Sequence, residues 1–319
     1  MFRFIKAYIK SMRLYYGFVT GISGWLGVAY YEYVTKEPVE LLRKTVILTI
    51  LFLSWGINQI INDYLGLKED RINAPLRPMV TGELPYKKAL VTSGILLLIT
   101  FLIFGFYLEP IAIIPVTMGI VLNVIYEYAK GYGVLGNIVF GIMLSMPLAA
   151  GFFASGSLEY PYLTKTLIGL IIIVAVINAV MTFYTYFKDY KGDREAGKKT
   201  IVVKYGIKKA RIIALLITVL PLLSFTILYP QVFNGITINE TFLFLSIITV
   251  ILQLWTGFLY YKYPRGDKTY YSLSFNFRTC ACSQAALVAL FNTKLSLMLY
   301  IATYVFVGLL FDLHSNSKA

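Results

Sequence analysis

Nine apolar windows recur along the chain, at about 14–34, 45–65, 89–108, 110–129, 134–156, 164–187, 212–229, 241–261 and 284–312. A helix needs roughly 20 mostly apolar residues to cross a bilayer, so nine such windows use most of the 319 residues. The composition agrees: 58% of residues are hydrophobic and 14% charged, against about 25% charged in soluble domains. An ordinary soluble domain is excluded. The expectation is an all-α, polytopic membrane helical bundle of about nine transmembrane helices around a central cavity. It forms a single membrane-embedded domain over residues 1–319, with cytoplasmic loops capping the site. The last window is too long for one span and contains Asn292 and Lys294. It predicts a short re-entrant or interfacial piece followed by a final helix from Leu295.

Arg3, Lys6, Lys10 and Arg13 precede the first window, as in a signal peptide. The apolar run continues to about Val34 with no small-residue cleavage site, so it reads as a first transmembrane helix. The only histidine is His314, which removes Ser-His-Asp and Cys-His catalysis and His-ligated zinc or haem. Cys280 and Cys282 form a lone C-x-C pair, neither a zinc site nor a disulfide framework, and read as small packing residues.

The net charge of +13 would suggest nucleic acid in a soluble protein. Here its distribution points to the membrane, and no nucleic-acid partner is expected. Basic residues number four in the N-terminal segment, five in 66–88, one at Lys130, nine in 188–211 and four in 262–278. The intervening loops hold only Lys36, Arg43, Lys44 and Lys165, with Lys318 at the tail. Cationic loops stay in the cytoplasm, so this asymmetry predicts an integral protein of the cell membrane whose N-terminus and long polar loops are cytoplasmic.

Both long polar loops carry carboxylates at the end of a span. The second span ends in Asn58, Asn62 and Asp63 and is followed by Asp70, with Asp63 and Asp70 at i,i+7 on nearly one helical azimuth. After the sixth come Lys188, Asp189, Asp193 and Arg194, with the two aspartates at i,i+4. Polar groups at such positions are costly unless they are paired, bind an ion or face a wet cavity. One ligand class suits two carboxylate clusters set among lysines and arginines. Mg²⁺ takes one or two carboxylates and completes its shell with water and substrate phosphates, while the cations neutralise the remaining phosphate charge. The implied ligand has a diphosphate head and an apolar tail between the helices. Solvated helix ends that anchor the spans would explain the same residues without any ligand.

The pattern resembles the UbiA-type intramembrane prenyltransferases over nearly the whole chain. The first family motif, N-D-x-x-D-x-x-x-D with R-x-N-x-P-x-R-P, is met over 62–78 by Asn62, Asp63, Asp70, Arg71, Asn73, Pro75, Arg77 and Pro78. The second, D-x-x-x-D followed by R-x-x-G-x-x-T, is met over 189–200 by Asp189, Asp193, Arg194, Gly197 and Thr200. Between them Y-x-x-x-K is met by Tyr126 and Lys130, and a glycine-rich fifth span follows from Gly136 to Gly151. The middle aspartate of the first motif is Gly66 here. Asp63 and Asp70 can hold one ion with Asn62, Glu69 is near enough in sequence to substitute, and Gly66 can alternatively end the helix and re-aim the loop.

The resemblance implies Mg²⁺-dependent transfer of an isoprenyl group from its diphosphate to an acceptor within the membrane, with release of pyrophosphate. Asp63, Asp70, Asp189 and Asp193 are then the catalytic and metal residues, with Asn62 as a further ligand. Two ions are implied, the second depending on what makes up for Gly66. Arg13, Arg71, Arg77, Tyr126, Lys130, Lys188 and Arg194 are implied diphosphate contacts. Asn58, Asn123 and Asn178 are polar enough to line the substrate cavity. The acceptor is expected to be hydrophobic, an aromatic quinone precursor or a membrane lipid. The alternatives are geranylgeranyl transfer to a glycerophosphate lipid, as in archaeal ether-lipid synthesis, or a non-catalytic prenyl-diphosphate binder. A secondary transporter would carry its polar residues nearer the midplane on broken helices.

Overall fold

The apolar windows fold as helices, and the window 45–65 stops where its helix does, at Gly66. The computed structural model describes residues 2–159, 162–266 and 268–316. In chain order the helices are α1 (Phe2–Met12), α2 (Gly17–Thr35), α3 (Leu41–Leu65), α4 (Leu67–Asn73), α5 (Pro78–Thr81), α6 (Tyr86–Phe106) and α7 (Ile113–Ala129). Then come α8 (Val134–Ala154), α9 (Lys165–Glu195), α10 (Ile201–Leu216), α11 (Leu220–Val232), α12 (Glu240–Lys262), α13 (Lys268–Val288) and α14 (Thr293–Asn316). The Thr164 hydroxyl caps α9 by accepting from Leu167 N at 3.1 Å, and Asn239 caps α12 by accepting from Phe242 N at 2.9 Å. Among the described residues the helices are the only regular secondary structure. The all-α membrane bundle expected from the sequence is the observed fold.

Among the described residues, eight helical segments are long and apolar enough to cross a bilayer. Two further long helices, α2 and α13, fall short on hydropathy for a physical reason: they face protein rather than lipid. Sixteen of the 21 residues of α13 are buried, against four of the 21 in α6, so α13 can carry Asn, Cys and Gln, which α6 lacks. The window 284–312 is therefore divided between the end of α13 and the whole of α14. No re-entrant piece precedes the final helix, and α13 takes up most of the expected loop 262–278. Arg278, counted with that loop, lies inside the helix with its guanidinium 5.1 Å from the Tyr304 ring centre. The far end of α14 returns to the level of the first helix, where Phe311 lies 5.1 Å from Tyr15. Lys318 lies outside the described residues.

The inner helices are α2, α8, α9 and α13, with α6, α7, α11 and α12 outside them. Close approach explains the glycines of the inner set. A Cβ on Gly151 would lie 2.4 Å from Gly24 O, and one on Gly141 would lie 2.3 Å from Ala175 O. These contacts let α8 press against α2 and α9 backbone to backbone. Helix α9 spans about 46 Å at 1.5 Å per residue, longer than the roughly 30 Å apolar core of a bilayer. Its last turns therefore project beyond the core and carry Lys188–Arg194 with them.

Candidate active site

The first acidic motif begins at the end of α3. Asp63 is buried and accepts from Gln59 Nε2 at 2.8 Å, from Arg13 Nη2 at 2.5 Å and from Arg77 Nη1 at 3.5 Å. Arg77 also pairs with Asp70 on α4. Arg13 has φ of 49°, a left-handed conformation few non-glycine residues adopt, and the ion pair with Asp63 offsets its cost. Burial raises the pKa of Asp70, with Arg77 opposing, and the carboxyl stays above its ordinary value. Burial would lower the Arg77 guanidinium, but Asp70 and Asp63 outweigh it and hold the group well above its usual range.

The second motif occupies the projecting end of α9. Asp193 is completely buried and receives Lys130 Nζ at 2.8 Å, while Asp189 lies 3.6 Å from Lys188 Nζ. Lys130 is aimed by the turn that follows it. Gly133 N donates to Lys199 O at 3.0 Å and Lys199 N to Gly131 O at 3.3 Å, stitching the α7–α8 turn to the segment after the second motif. The turn needs glycine at 133, where φ is 63°, and the return of the chain needs it at Gly197, where φ is 79°. Thr200 then caps α10 by accepting from Val203 N at 3.4 Å. Burial would lower the Lys130 ammonium, but Asp193 and Asp189 more than reverse this, so it stays protonated.

Asn73 joins the two motifs. Its Nδ2 donates to Asp189 O at 3.0 Å, and its Oδ1 accepts from Gly192 N at 2.7 Å. The approach is so close that a Cβ on Gly192 would lie 2.4 Å from Asn73 Nδ2. On the same side Lys198 reaches across to Glu69 Oε1 at 3.1 Å and pairs with Glu127 at the end of α7. Among the described residues no three acidic side chains converge closely enough to enclose an ion alone. Every motif carboxylate faces a lysine or arginine instead.

These groups line a polar cavity that includes Arg13, Asn62, Asp70, Arg77, Lys130 and Asp189. Its inner wall is an aromatic collar. Tyr16 stacks on Trp55 with ring centres 4.4 Å apart, Trp55 meets Phe140 at 5.6 Å, and Phe140 meets Tyr126 at 4.8 Å. Trp55 and Gln59 also border a second, mostly apolar cavity between α2, α3, α6, α7 and α8. A charged chamber and an apolar one thus lie on either side of Trp55 and Gln59, a pairing suited to a molecule with an anionic head and a hydrocarbon tail.

Residues 19–280 match the model of the UbiA prenyltransferase family. The chain belongs to this family. It is an integral membrane prenyltransferase. Its relatives include the digeranylgeranylglyceryl phosphate synthase of Sulfurisphaera tokodaii, 27% identical over 256 residues that cover 78% of this chain and 87% of the relative. The enzyme of that name from Methanosphaera stadtmanae is 29% identical over 215 residues, 66% of this chain and 73% of the relative. A UbiA homologue from Archaeoglobus fulgidus, solved with DMAPP and Mg²⁺, superposes with a TM-score of 0.66 at 15% identity, covering 92% of this chain and 99% of the other. The apo homologue from Aeropyrum pernix K1 gives 0.68 at 16% identity, over 88% and 97%. These structural likenesses show the fold.

Within this UbiA-family fold, most of the residues singled out from sequence converge. Asn62, Asp70, Arg13, Arg77, Tyr126, Lys130, Lys188 and Asp189 line the polar cavity. Asp63 and Asp193 contact its cations, and Asn58 and Asn123 line the apolar one. Three others lie apart from both cavities. Arg71 and Arg194 are exposed: each lies on the outer side of a helix whose inner side holds the aspartates. Asn178 borders neither cavity. Its Nδ2 donates to Val174 O at 2.9 Å and its Oδ1 lies 3.4 Å from Cys280 Sγ, within the α9–α13 contact. Gly66 does end α3, but its φ of −91° is open to any residue, so the break does not require glycine. Sequence reasoning gave Lys198 no role and selected neither Trp55 nor Tyr16 from the many aromatics.

Proposed function

We propose that this protein transfers a geranylgeranyl-class chain from its diphosphate to the glycerol hydroxyl of a glycerophosphate lipid, with Mg²⁺, at the cytoplasmic face of the membrane. The observation that carries this reading is the adjacency of the charged chamber and the apolar one, which share Trp55 and Gln59 as a common wall. The acceptor is favoured by the name shared by the relatives above, digeranylgeranylglyceryl phosphate synthase. An aromatic quinone-type acceptor, expected first from sequence, has no comparable support. The cytoplasmic assignment rests on the basic residues of 66–88 and 188–211, which meet at one end of the bundle.

The donor set fits a magnesium diphosphate. The available ligands are carboxylate and amide oxygens, which suit Mg²⁺, and substrate phosphates would complete a shell that no trio of side chains closes. Five cations (Arg13, Arg77, Lys130, Lys188 and Lys198) face six carboxylates (Asp63, Glu69, Asp70, Glu127, Asp189 and Asp193). A site so balanced accepts divalent ions, and with them it becomes positive enough for a diphosphate. Bound at Asp63, Asp70, Asp189 and Asp193, Mg²⁺ would neutralise the diphosphate and stabilise the departing pyrophosphate.

The chain's own groups do the rest. Arg13, Arg77, Lys130 and Lys188 exchange their carboxylate partners for phosphate oxygens and hold the head group. Asn73 keeps the two acidic segments at fixed separation, so both ends of the diphosphate are gripped together. The apolar cavity takes the tail and excludes water from the reacting carbon. As the bond from the first prenyl carbon to the diphosphate oxygen breaks, Trp55, Tyr16 and Tyr126 present ring faces to the developing allylic cation. The acceptor oxygen bonds that carbon, and its proton leaves to solvent or pyrophosphate.

The test is product analysis by mass spectrometry. Protein in liposomes receives geranylgeranyl diphosphate and either geranylgeranylglyceryl phosphate or a hydroxybenzoate, with Mg²⁺ or EDTA. The expected product is the diether lipid phosphate, formed only with Mg²⁺. Prenylated aromatic alone would refute the acceptor assignment. Mg²⁺-dependent binding of the diphosphate without transfer to either acceptor would refute catalysis.

A further inference from the structure

Gly66 leaves the first acidic motif one carboxylate short, and the structure shows what occupies the space. A Cβ built on Gly66 would lie 3.9 Å from both carboxylate oxygens of Glu127 and 3.3 Å from Asn62 O. An aspartate at 66 would place its carboxylate against that of Glu127, an unfavourable like-charge contact in a largely enclosed cavity. The backbone at 66 lies outside the left-handed region, so geometry does not demand glycine. Gly66 and Glu127 therefore form a complementary pair, one missing a carboxylate and the other supplying it from a different helix. Glu127, Glu69 and Gly66 border the same polar cavity as Asn62 and Asp70. Glu127 lies one residue from Tyr126, is mostly buried and is held by Lys198.

Lys198 is the counter-ion of this arrangement. Its ammonium pairs with Glu127, lies 3.1 Å from Glu69 Oε1 and lies 3.4 Å from Glu127 O. Its own amide donates to Asp193 O at 2.8 Å, which ties it to the second motif. Without a divalent cation, two inward-facing carboxylates at this place need a positive partner, and Lys198 fills that position.

We propose that Glu127 replaces the aspartate missing at position 66, contributing from α7 the carboxylate charge that binds the divalent cation of the first motif, with Lys198 as the counter-ion that this cation displaces. The inference rests on the magnesium reading above. It makes Glu127 and Lys198 opposed in effect: one recruits the ion and the other competes with it.

The experiment is Mn²⁺ titration followed by electron paramagnetic resonance, on full-length protein in lipid nanodiscs with inorganic pyrophosphate, free of turnover. Glu127→Gln should weaken the ion bound at the first motif by about 10- to 100-fold, the range for loss of a group that supports a metal. Gly66→Asp in the Glu127→Gln background should restore binding to near the wild-type level, because the carboxylate returns to the cavity from α3. Lys198→Met should tighten Mn²⁺ binding, whereas a merely structural Lys198–Glu127 bridge would leave it unchanged while lowering thermal stability. Mn²⁺ binding unaffected by Glu127→Gln, or no recovery in the double variant, overturns the proposal. Asp189→Asn separates the two levels. If it weakens Mn²⁺ binding while Glu127→Gln does not, only the role of Glu127 fails; if neither does, the magnesium reading fails with it.

Discussion

Removing the Asn73 side chain tests whether the two acidic motifs work as one unit. Asn73 donates to Asp189 O and accepts from Gly192 N, at 3.0 and 2.7 Å. Each hydrogen bond contributes about 0.5–1.5 kcal/mol net, so Asn73→Ala should cost about 1–3 kcal/mol of stability. The larger consequence is positional. Misplacement by about 1 Å at a reacting site can cost roughly 100-fold in rate, so kcat/KM should fall further than stability predicts. Gly192→Ala attacks the same contact from the other side, because its Cβ would lie 2.4 Å from Asn73 Nδ2 and 2.6 Å from Cγ. Overpacking of this kind costs about 1–3 kcal/mol. In the Asn73→Ala background that collision is gone, and alanine is favoured over glycine within a helix by about 1 kcal/mol. Gly192→Ala should therefore change sign, from destabilising alone to neutral or stabilising in the double variant. Thermal unfolding in detergent and prenyl-transfer kinetics on the four proteins measure this cycle. Additive costs, or Asn73→Ala with wild-type kcat/KM and Mg²⁺ dependence, would refute the clip.

Three further outcomes follow from the two cavities and their surroundings. Gly119→Phe places a ring in the apolar cavity, where Gly119 faces Met146. Transfer from geranylgeranyl diphosphate should fall by about 10- to 100-fold, while dimethylallyl diphosphate is spared, as read by competition between donors. Trp55→Ala opens the collar and removes a ring face. Its kcat should drop by about tenfold or more, whereas Trp55→Phe should retain most activity, because the stabilisation comes from the face rather than the indole N–H. Arg71→Ala and Arg194→Ala should each leave kcat/KM within about twofold of wild type, since exposed residues outside a site contribute little; a tenfold loss in either would place it back in the site.

Much of the site was legible because its chemistry is local in sequence. Asp63 and Asp70 lie seven residues apart, Asp189 and Asp193 four, and both pairs sit where apolar runs end. The arginines show the limit of that reading. Arg77 and Arg71 belong to one motif, but the turn after α4 folds Arg77 onto Asp63 and Asp70 while Arg71 points outward. Composition cannot distinguish them. Lys198 and Glu127 are 71 residues apart and meet only because the α7–α8 turn is stitched to the segment beyond α9. Trp55 and Tyr16 are chosen by packing from 3 tryptophans and 26 tyrosines, a choice no spacing encodes. Hydropathy found the lipid-facing helices well and underestimated α13, whose polar residues are hidden in protein. The same effect left Asn178 open to a cavity reading, although its partner is Cys280 on α13.

The most direct measurement of the central claim is single-turnover prenyl transfer in proteoliposomes, comparing wild type with Asp70→Asn and Asp193→Asn. Each substitution keeps the side-chain shape, removes one negative charge from one motif and leaves the other motif intact. If the two motifs hold one magnesium diphosphate between them, both variants should lose about 100-fold or more in the chemical step, with partial recovery at high Mg²⁺. Undiminished transfer in either variant would contradict a shared site.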